Sequence, residues 1–404
     1  MAGNTNSMMM YLAGGACADF IPWDLTLEEG FSRLYRGELT VLSETKHGME
    51  DLSGLLDKGI SLTMTQKAGL DTDVLRTRYL HGIVTEVRSA GVFSNGKAKD
   101  CYSYVLVIEP ELARLRFTRL TAPYYRMNPL SIFEAILNKY KLTARIEQGF
   151  VSRAKYGGNL LFDQSETSDM DFLTGIAGIY GISLVFTHQK KPPNTLGVTD
   201  LYFSDGGKFP RSDISYSDKR EEPPVENFVF LGASGNAWKM DRWTMTETIG
   251  FEGNRLGASY PNVNYGSDEW KWGKTGAGDR YANYGRLFHS YEPQTAHDEV
   301  DRDIKLILEV RRRVAEQAKA RWTAEAANLV LRPGLILELR HFYGMKDREL
   351  ITALVTGITL HHRARWPENL AVRMEEAGEE MTQVGADCMD WGSSAEKRFC
   401  PNQQ

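Results

Sequence analysis

"DQSETSDMDFLTGIAGIYGI", residues 163–182, joins an acidic, hydroxyl-rich lead to a glycine-punctuated apolar run. Either Glu166 and Asp169 form a carboxylate pair at the lip of a catalytic site, or the acids open a helix that packs a small domain. Ser168 or Asp169 fits the N-cap position, and acidic residues in a first turn complement the positive end of the helix dipole. Met170, Leu173, Ile176, Ala177 and Tyr180 then recur at helical spacing, and Gly181 stands where helices close in the left-handed conformation. "ISLVF" (182–186) follows as a strand. The spacing predicts a packing helix capped by its acids.

Upstream, "LYRGELTVLS" (34–43), "GISLTMTQ" (59–66), "RYLHGIVTEV" (78–87) and "YSYVLVIEP" (102–110) place apolar residues at about every second position, with turn-formers between them. That rhythm predicts antiparallel strands of a barrel or sandwich. "EDLSGLLDKG" (50–59) predicts a short helix. "NPLSIFEAILNKYKL" (128–142) carries Leu130, Phe133, Ile136, Leu137 and Tyr140 along one helical face, with Ser131 and Glu134 spaced as a capping box.

Downstream, 188–200 predicts a polar loop and "RSDISYSDKREEPP" (211–224) a linker, with strand patterning resuming at "VENFVFLGAS" (225–234). Residues 231–295, rich in Gly, Asn, Tyr and Trp, show no period and predict a loop-rich excursion with aromatic anchors. Val300, Ile304, Ile307, Val314 and Ala318 share one side of a helix expected over 298–330, on the order of 45 Å long at 1.5 Å per residue. "LRPGLILELRHF" (331–342) and "ITALVTGITLHH" (351–362) predict two closing strands, and a weakly patterned tail is expected beyond Arg365.

The 404 residues allow a substantial core and two or three domains. With 48 basic against 53 acidic residues, the net charge of -5 argues against nucleic-acid binding and against docking on an anionic membrane. Cys17, Cys101, Cys388 and Cys400 are too scattered for a disulfide framework and contain no CxxC pair. "SMMMYLAGGAC" lacks the basic lead of a secretion signal, so assembly in the cytoplasm without a signal peptide is expected.

Catalytic constellations are scarce. There is no GxGxxG after a strand, no Walker A loop and no HExxH. "LGASGN" (231–236) falls one residue short of a nucleophile elbow. His361 and His362 are adjacent on a strand and point to opposite faces, a poor geometry for one metal. Arg311, Arg312 and Arg313 fan around a helical turn beside Glu309 and Glu316, which reads as a solvated face. Asp268 and Glu269 beside Trp270 and Trp272 are the local candidates for a glycan hydrolase. The expectation is a protein without catalytic, cofactor-binding or metal-binding residues.

The order of elements resembles the hub region of VgrG proteins, the spike proteins of type VI secretion systems, which are similar to phage tail hubs. Arg78, Tyr79, His81, Gly82, Ile83, Val84 and Thr85 match that family's R-[FY]-x-H-G-I-V-T strand, and Pro110 and Leu112 its Pro-x-Leu turn. Ile132, Ile136 and Leu137 match the next helix. Gln164, Glu166, Asp169, Asp171, Phe172, Leu173, Gly181 and Ile182 match the Q-x-x-E-[ST]-D-x-D-F-L helix and the G-I strand, with one extra residue near Thr167. "LRPGLILEL" and "ALVTGITLHH" resemble the end of the hub. A full VgrG continues into an OB-fold and a β-helical needle, for which the residues after His362 are too few.

The resemblance implies an α+β, mainly β fold: two antiparallel β-barrel-like hub domains with an inserted α/β middle domain, alongside the one long helix. The corresponding divisions are 1–120 (first hub barrel), 121–210 (inserted middle domain), 211–365 (second part of the barrels, loops and helix) and 366–404 (tail). It implies a structural hub of a contractile injection apparatus, a homotrimeric ring that adapts a six-fold tail tube to a three-fold spike. The implied partners are two further copies, an Hcp-like tube protein, a separate spike or needle protein and baseplate proteins, within a secreted or extracellular particle. The alternatives are a tail-associated glycan or peptidoglycan hydrolase, and a carbohydrate-binding adhesin suggested by the 8 Trp and 18 Tyr.

Overall fold

The computed structural model describes residues 6–15, 18–67, 75–93, 101–124, 127–142, 162–192, 194–205, 209–217, 225–227, 230–234, 242–249, 263–269, 287–290, 310, 321–326, 328–340, 350–364 and 382–387. In chain order it opens with β1 (Ser7–Leu12), β2 (Ile21–Gly30), β3 (Arg36–Ser43), α1 (Met49–Ser53), β4 (Gly59–Lys67), β5 (Leu75–Phe93) and β6 (Cys101–Glu109). A 3-10 turn over Glu111–Arg116 leads to β7 (Arg119–Tyr124), α2 (Pro129–Lys139), β8 (Phe162–Ser168), α3 (Asp169–Tyr180), β9 (Ser183–His188) and β10 (Thr199–Ser204). Next come β11 (Arg211–Ser217), β12 (Val225–Asn227), β13 (Phe230–Ser234), β14 (Arg242–Ile249), β15 (Val263–Glu269) and β16 (Leu287–Ser290). The last strands are β17 (Arg321–Ala326), β18 (Ile336–Arg340), β19 (Leu350–Leu354), β20 (Gly357–Arg363) and β21 (Thr382–Asp387).

Ten strands form one open sheet in the order β1-β4-β5-β6-β3-β2-β20-β21-β17-β13. The β2–β20 ladder, running from Asp24↔Arg363 to Gly30↔Gly357, welds strands from opposite ends of the chain. Inward positions alternate as the sequence requires: Leu25, Leu27, Leu39, Val41, Leu62, Met64, Leu80 and Leu106 are buried, and Leu329 and Leu360 close the same core. A second core gathers on α2 and α3, where Phe133 stacks on Phe203 of β10 at 4.8 Å between ring centres. The fold is mainly β with few helices. The smaller sheets include parallel pairs: β11 runs parallel to β12 and β18, and β14 to β16.

The opening stretch folds as expected. Ser168 is the N-cap of α3: its hydroxyl accepts the Asp171 amide at 3.0 Å and donates to the Asp171 carboxylate at 2.8 Å. Gly181 closes the helix at φ 65, and a β-carbon there would lie 2.9 Å from Val310, so the site demands glycine twice over. Ser168→Ala is expected to cost about 1 kcal/mol of stability, read as a shift of the urea midpoint at unchanged slope.

Five expectations need correction. The cap of α2 is Asn128, which accepts the Ser131 amide at 2.9 Å with Pro129 in the first turn, so the Ser131–Glu134 capping box is not used. Residues 211–217, read as linker, form β11. The loop-rich stretch 231–295 contains β14, β15 and β16 as a three-stranded sheet. The helix expected over 298–330 gives way to strand at 321–326, where β17 pairs with β13 on one side and β21 on the other. Ladder bonds on both edges outweigh the weaker intrinsic preference of "RWTAEA" for helix. Apart from Val310, which is helical, 298–320 lies outside the described residues. The expected tail likewise holds β21.

Candidate functional site

The "RYLHGIVT" strand is where distant parts of the chain are fastened. The N-terminal part of β5 extends past the end of β6, because their ladder begins only at Ile83↔Glu109, the last residue of β6. At His81 the backbone amide and carbonyl on that open side would be orphaned, a cost that buried backbone rarely tolerates. Side chains supply the partners instead. The His81 amide donates to His188 Nδ1 at 3.2 Å, and its carbonyl accepts the hydroxyls of Tyr35 and of Thr199, the latter at 2.9 Å.

The His81 ring completes the seal. Its Nε2 lies 2.7 Å from the Gln189 carbonyl, which can only accept, so the proton sits on Nε2. Nδ1 then accepts from the Ser61 hydroxyl at 3.0 Å, and the Ser61 oxygen accepts the Gly197 amide at 2.7 Å. A β-carbon at Gly197 would stand 2.2 Å from the His81 ring. Burial, with the neighbouring His188 and Lys191 charges, pushes His81 down to about 4 against the support of its backbone hydrogen bonds. At neutral pH it is an uncharged structural histidine.

Three residues earlier, the Arg78 guanidinium is buried. It donates to the Leu331 carbonyl at 2.7 Å and the Leu329 carbonyl at 3.3 Å, and it pairs with the Glu29 carboxylate. His188 Nε2 approaches Glu29 at 3.5 Å. Burial alone would raise the Glu29 carboxyl, but the Arg78 charge and the His188 contact hold it at about 2. Arg78 thus ties β5 to β2 and to a segment some 250 residues downstream, where the Leu329 amide also bonds Gln66 at 3.1 Å. Beyond His81, Gly82 admits no side chain: a β-carbon would meet the Glu109 carbonyl at 2.5 Å. Thr85 donates to the buried Glu109 carboxylate at 2.7 Å, which Arg116 also binds at 2.6 Å.

The acids of the opening stretch divide their work. Asp169 is buried and does not cap. Its carboxylate accepts from the Gln164 amide at 2.7 Å and from the Tyr140 hydroxyl, with Lys139 at 3.4 Å, and so clasps α3 to the end of α2. Burial works to raise it, yet these hydrogen bonds and the Lys139 charge hold it below the usual carboxylate value. Glu166 is exposed at φ 50 in a bulge where Leu120 pairs Thr167 and Ala122 pairs Gln164; this bulge accommodates the extra residue near Thr167. The two carboxylates do not form a catalytic pair.

The remaining candidates are placed as follows. His361 is exposed and lies 3.2 Å from the Thr26 hydroxyl, whereas His362 is buried and pushed down to about 4 by that burial; they occupy opposite faces. Arg311, Arg312 and Arg313 lie outside the described residues, as do Trp270 and Trp272. Asp268 and Glu269 pair in backbone register with Trp243 and Arg242.

Sequence reading missed one cluster. His47 Nε2 sits 3.2 Å from Ser43 Oγ and 3.1 Å from Asp19 Oδ2. A catalytic relay needs serine on one ring nitrogen and the acid on the other. Here both face the same nitrogen, Ser43 donates to Asp19, and the serine is buried, so the cluster pins the β3 end. Among the described residues, no group of three or more His, Cys, Asp and Glu is gathered to hold a metal, and no helix is long and apolar enough to cross a membrane.

Comparison with known proteins agrees with this geometry. The chain resembles the E. coli c3393 protein, described as a component of the type VI secretion system structurally similar to the T4 bacteriophage tail proteins gp27 and gp5. That match has a TM-score of 0.56 at 13% identity, over 94% of this chain and 77% of that one. A tail protein from Neisseria meningitidis MC58 matches at TM-score 0.53 and 9% identity, over 96% of this chain and 99% of that one. No curated protein matches the chain. At these identities the structures speak for the fold alone, and both are tail-related. A family model, described as phage tail baseplate hub (GPD), matches residues 28–364, from Glu28 next to the buried Glu29 to the end of β20. Spanning most of the sequence and both sides of the lock at Arg78 and His81, that match shows that the chain belongs to the phage tail baseplate hub family.

Proposed function

We propose that this hub protein closes a ring of three copies that seats a six-fold tail tube on one side and a separate three-fold spike on the other, within a contractile injection particle assembled in the cytoplasm and then released or fired. The observation that carries this reading is the open ten-stranded sheet. Among the described residues, no strand pairs with the outer edge of β1 or of β13. β1 reads "SMMMYL", and Met9 on it is 60% exposed. A monomer normally shields such an apolar edge with charge, proline or a covering element. An assembling subunit uses it as a seam, and closure around a rotation axis removes the edges altogether. The polar knots described above fix shape, and among the described residues their charged groups are held in structural contacts, which suits a role as a tail component with tube, spike and baseplate proteins as partners.

Light scattering on the purified chain across a concentration series tests the stoichiometry. The expected mass is three times the 45.6 kDa chain. A well-folded species that stays at one chain mass throughout would sink the ring.

A further inference from the structure

A cavity of about 490 Å³ opens between β5, β9 and the 328–335 segment, lined among the described residues by Arg76, Arg78, Arg211 and Arg332 against one carboxylate, Glu29. Three of these guanidinium groups are engaged: Arg78 by Glu29 and two carbonyls, Arg211 by Glu338 at 3.8 Å, and Arg76 in an interaction of its own. Arg332 differs. Among the described residues no carboxylate lies within ion-pair distance of it, and partial burial followed by the adjacent Arg78 charge holds its pKa below the ordinary value. Arg332 also lines an adjoining cavity of about 400 Å³. There, among the described residues, Ser204, 1% exposed, has a hydroxyl oxygen with no hydrogen-bond partner, and the one lining carboxylate, Asp200, is bonded by the Gln189 amide. A guanidinium with no carboxylate at ion-pair distance among the described residues, at the wall of a half-open cavity and together with an unsatisfied buried hydroxyl, is an arrangement completed by an anion.

We propose that these joined cavities bind a small oxyanion of the phosphate or carboxylate class, with the Arg332 guanidinium as its principal contact. A planar guanidinium offers two parallel N–H donors to two oxygens, which a point-charge ammonium does not. The occupant touches β5, β9 and the 328–335 turn at once, the elements that Arg78 and His81 already fasten. Its binding therefore stabilises the folded hub by mass action. This site is independent of the ring proposed above.

The test is the melting temperature of the full chain in tens of millimolar inorganic phosphate or citrate, against sodium chloride at matched ionic strength. The expected result is a rise of a few degrees that grows with anion concentration, is abolished in Arg332→Gln and reduced in Arg332→Lys. It persists in Arg114→Gln, which removes an exposed pair with Asp57 outside the cavities. No rise beyond chloride for either anion, an undiminished rise in Arg332→Gln, or its loss in Arg114→Gln as well, would each overturn the site.

Discussion

Arg78→Met is expected to destabilise the protein by about 3–5 kcal/mol, because it strips a buried carboxylate of its cation. The Glu29 side chain is 9% exposed and would remain behind with only His188 at 3.5 Å. The carbonyls of Leu329 and Leu331 would lose their charged donor at the same time. Replacing both members, Arg78→Met with Glu29→Met, removes the uncompensated charge, and packed apolar side chains can recover most of the loss. Urea unfolding of the two single variants and the double variant measures the coupling. A single-variant cost under about 1 kcal/mol would show that the pair is not the fastening described here.

The second large effect is acid sensitivity. His81 and His362 each have a folded-state pKa of about 4 against an ordinary 6.5, burial being the main cause in both. A depressed value means that the unfolded chain takes up the proton first. The contribution is therefore fully present above pH 6.5 and lost as the pH falls towards 4, at most about 3 kcal/mol per histidine. Glu29 continues the trend: held at about 2, it contributes stability above pH 4.5 that is lost as the pH falls to 2. Unfolding free energy measured between pH 7 and 4 should fall steeply, and His362→Gln should flatten roughly half of the slope over that range. A flat profile in the unsubstituted protein would contradict the neutral, buried histidines.

The two predictions share a cause that bears on what can be read from a sequence. α3 was legible because its signals are local: Ser168, the apolar period and Gly181 lie within fifteen residues and each has one structural meaning. β3 to β6 were legible by alternation. β17 was not, since "RWTAEA" continues a helical pattern and becomes strand only through β13 and β21, some ninety and sixty residues away. β14 to β16 were missed because they are short and lie in a stretch whose many glycines and asparagines read as loop, although Trp243, Met245 and Ile249 alternate with threonines in β14.

The lock was half legible. Resemblance pointed to Arg78, His81 and Gly82 as a motif, yet their partners Glu29, Thr199, His188 and Leu329 are scattered along the chain and unremarkable alone. One signal was available: Arg78 shares its inward parity with Leu80, and a charged residue on the core side of a strand requires a buried counter-charge. The Asp169 clasp was concealed by its position beside an N-cap, where an acid already has a sufficient explanation.

The account rests on open sheet edges that a neighbouring copy completes. A cryo-electron microscopy reconstruction of the purified protein tests this most directly. It should show a three-fold ring in which the outer edge of β1 is covered by an adjacent subunit. A particle without three-fold symmetry, in which that edge is already sealed by its own chain, would contradict it.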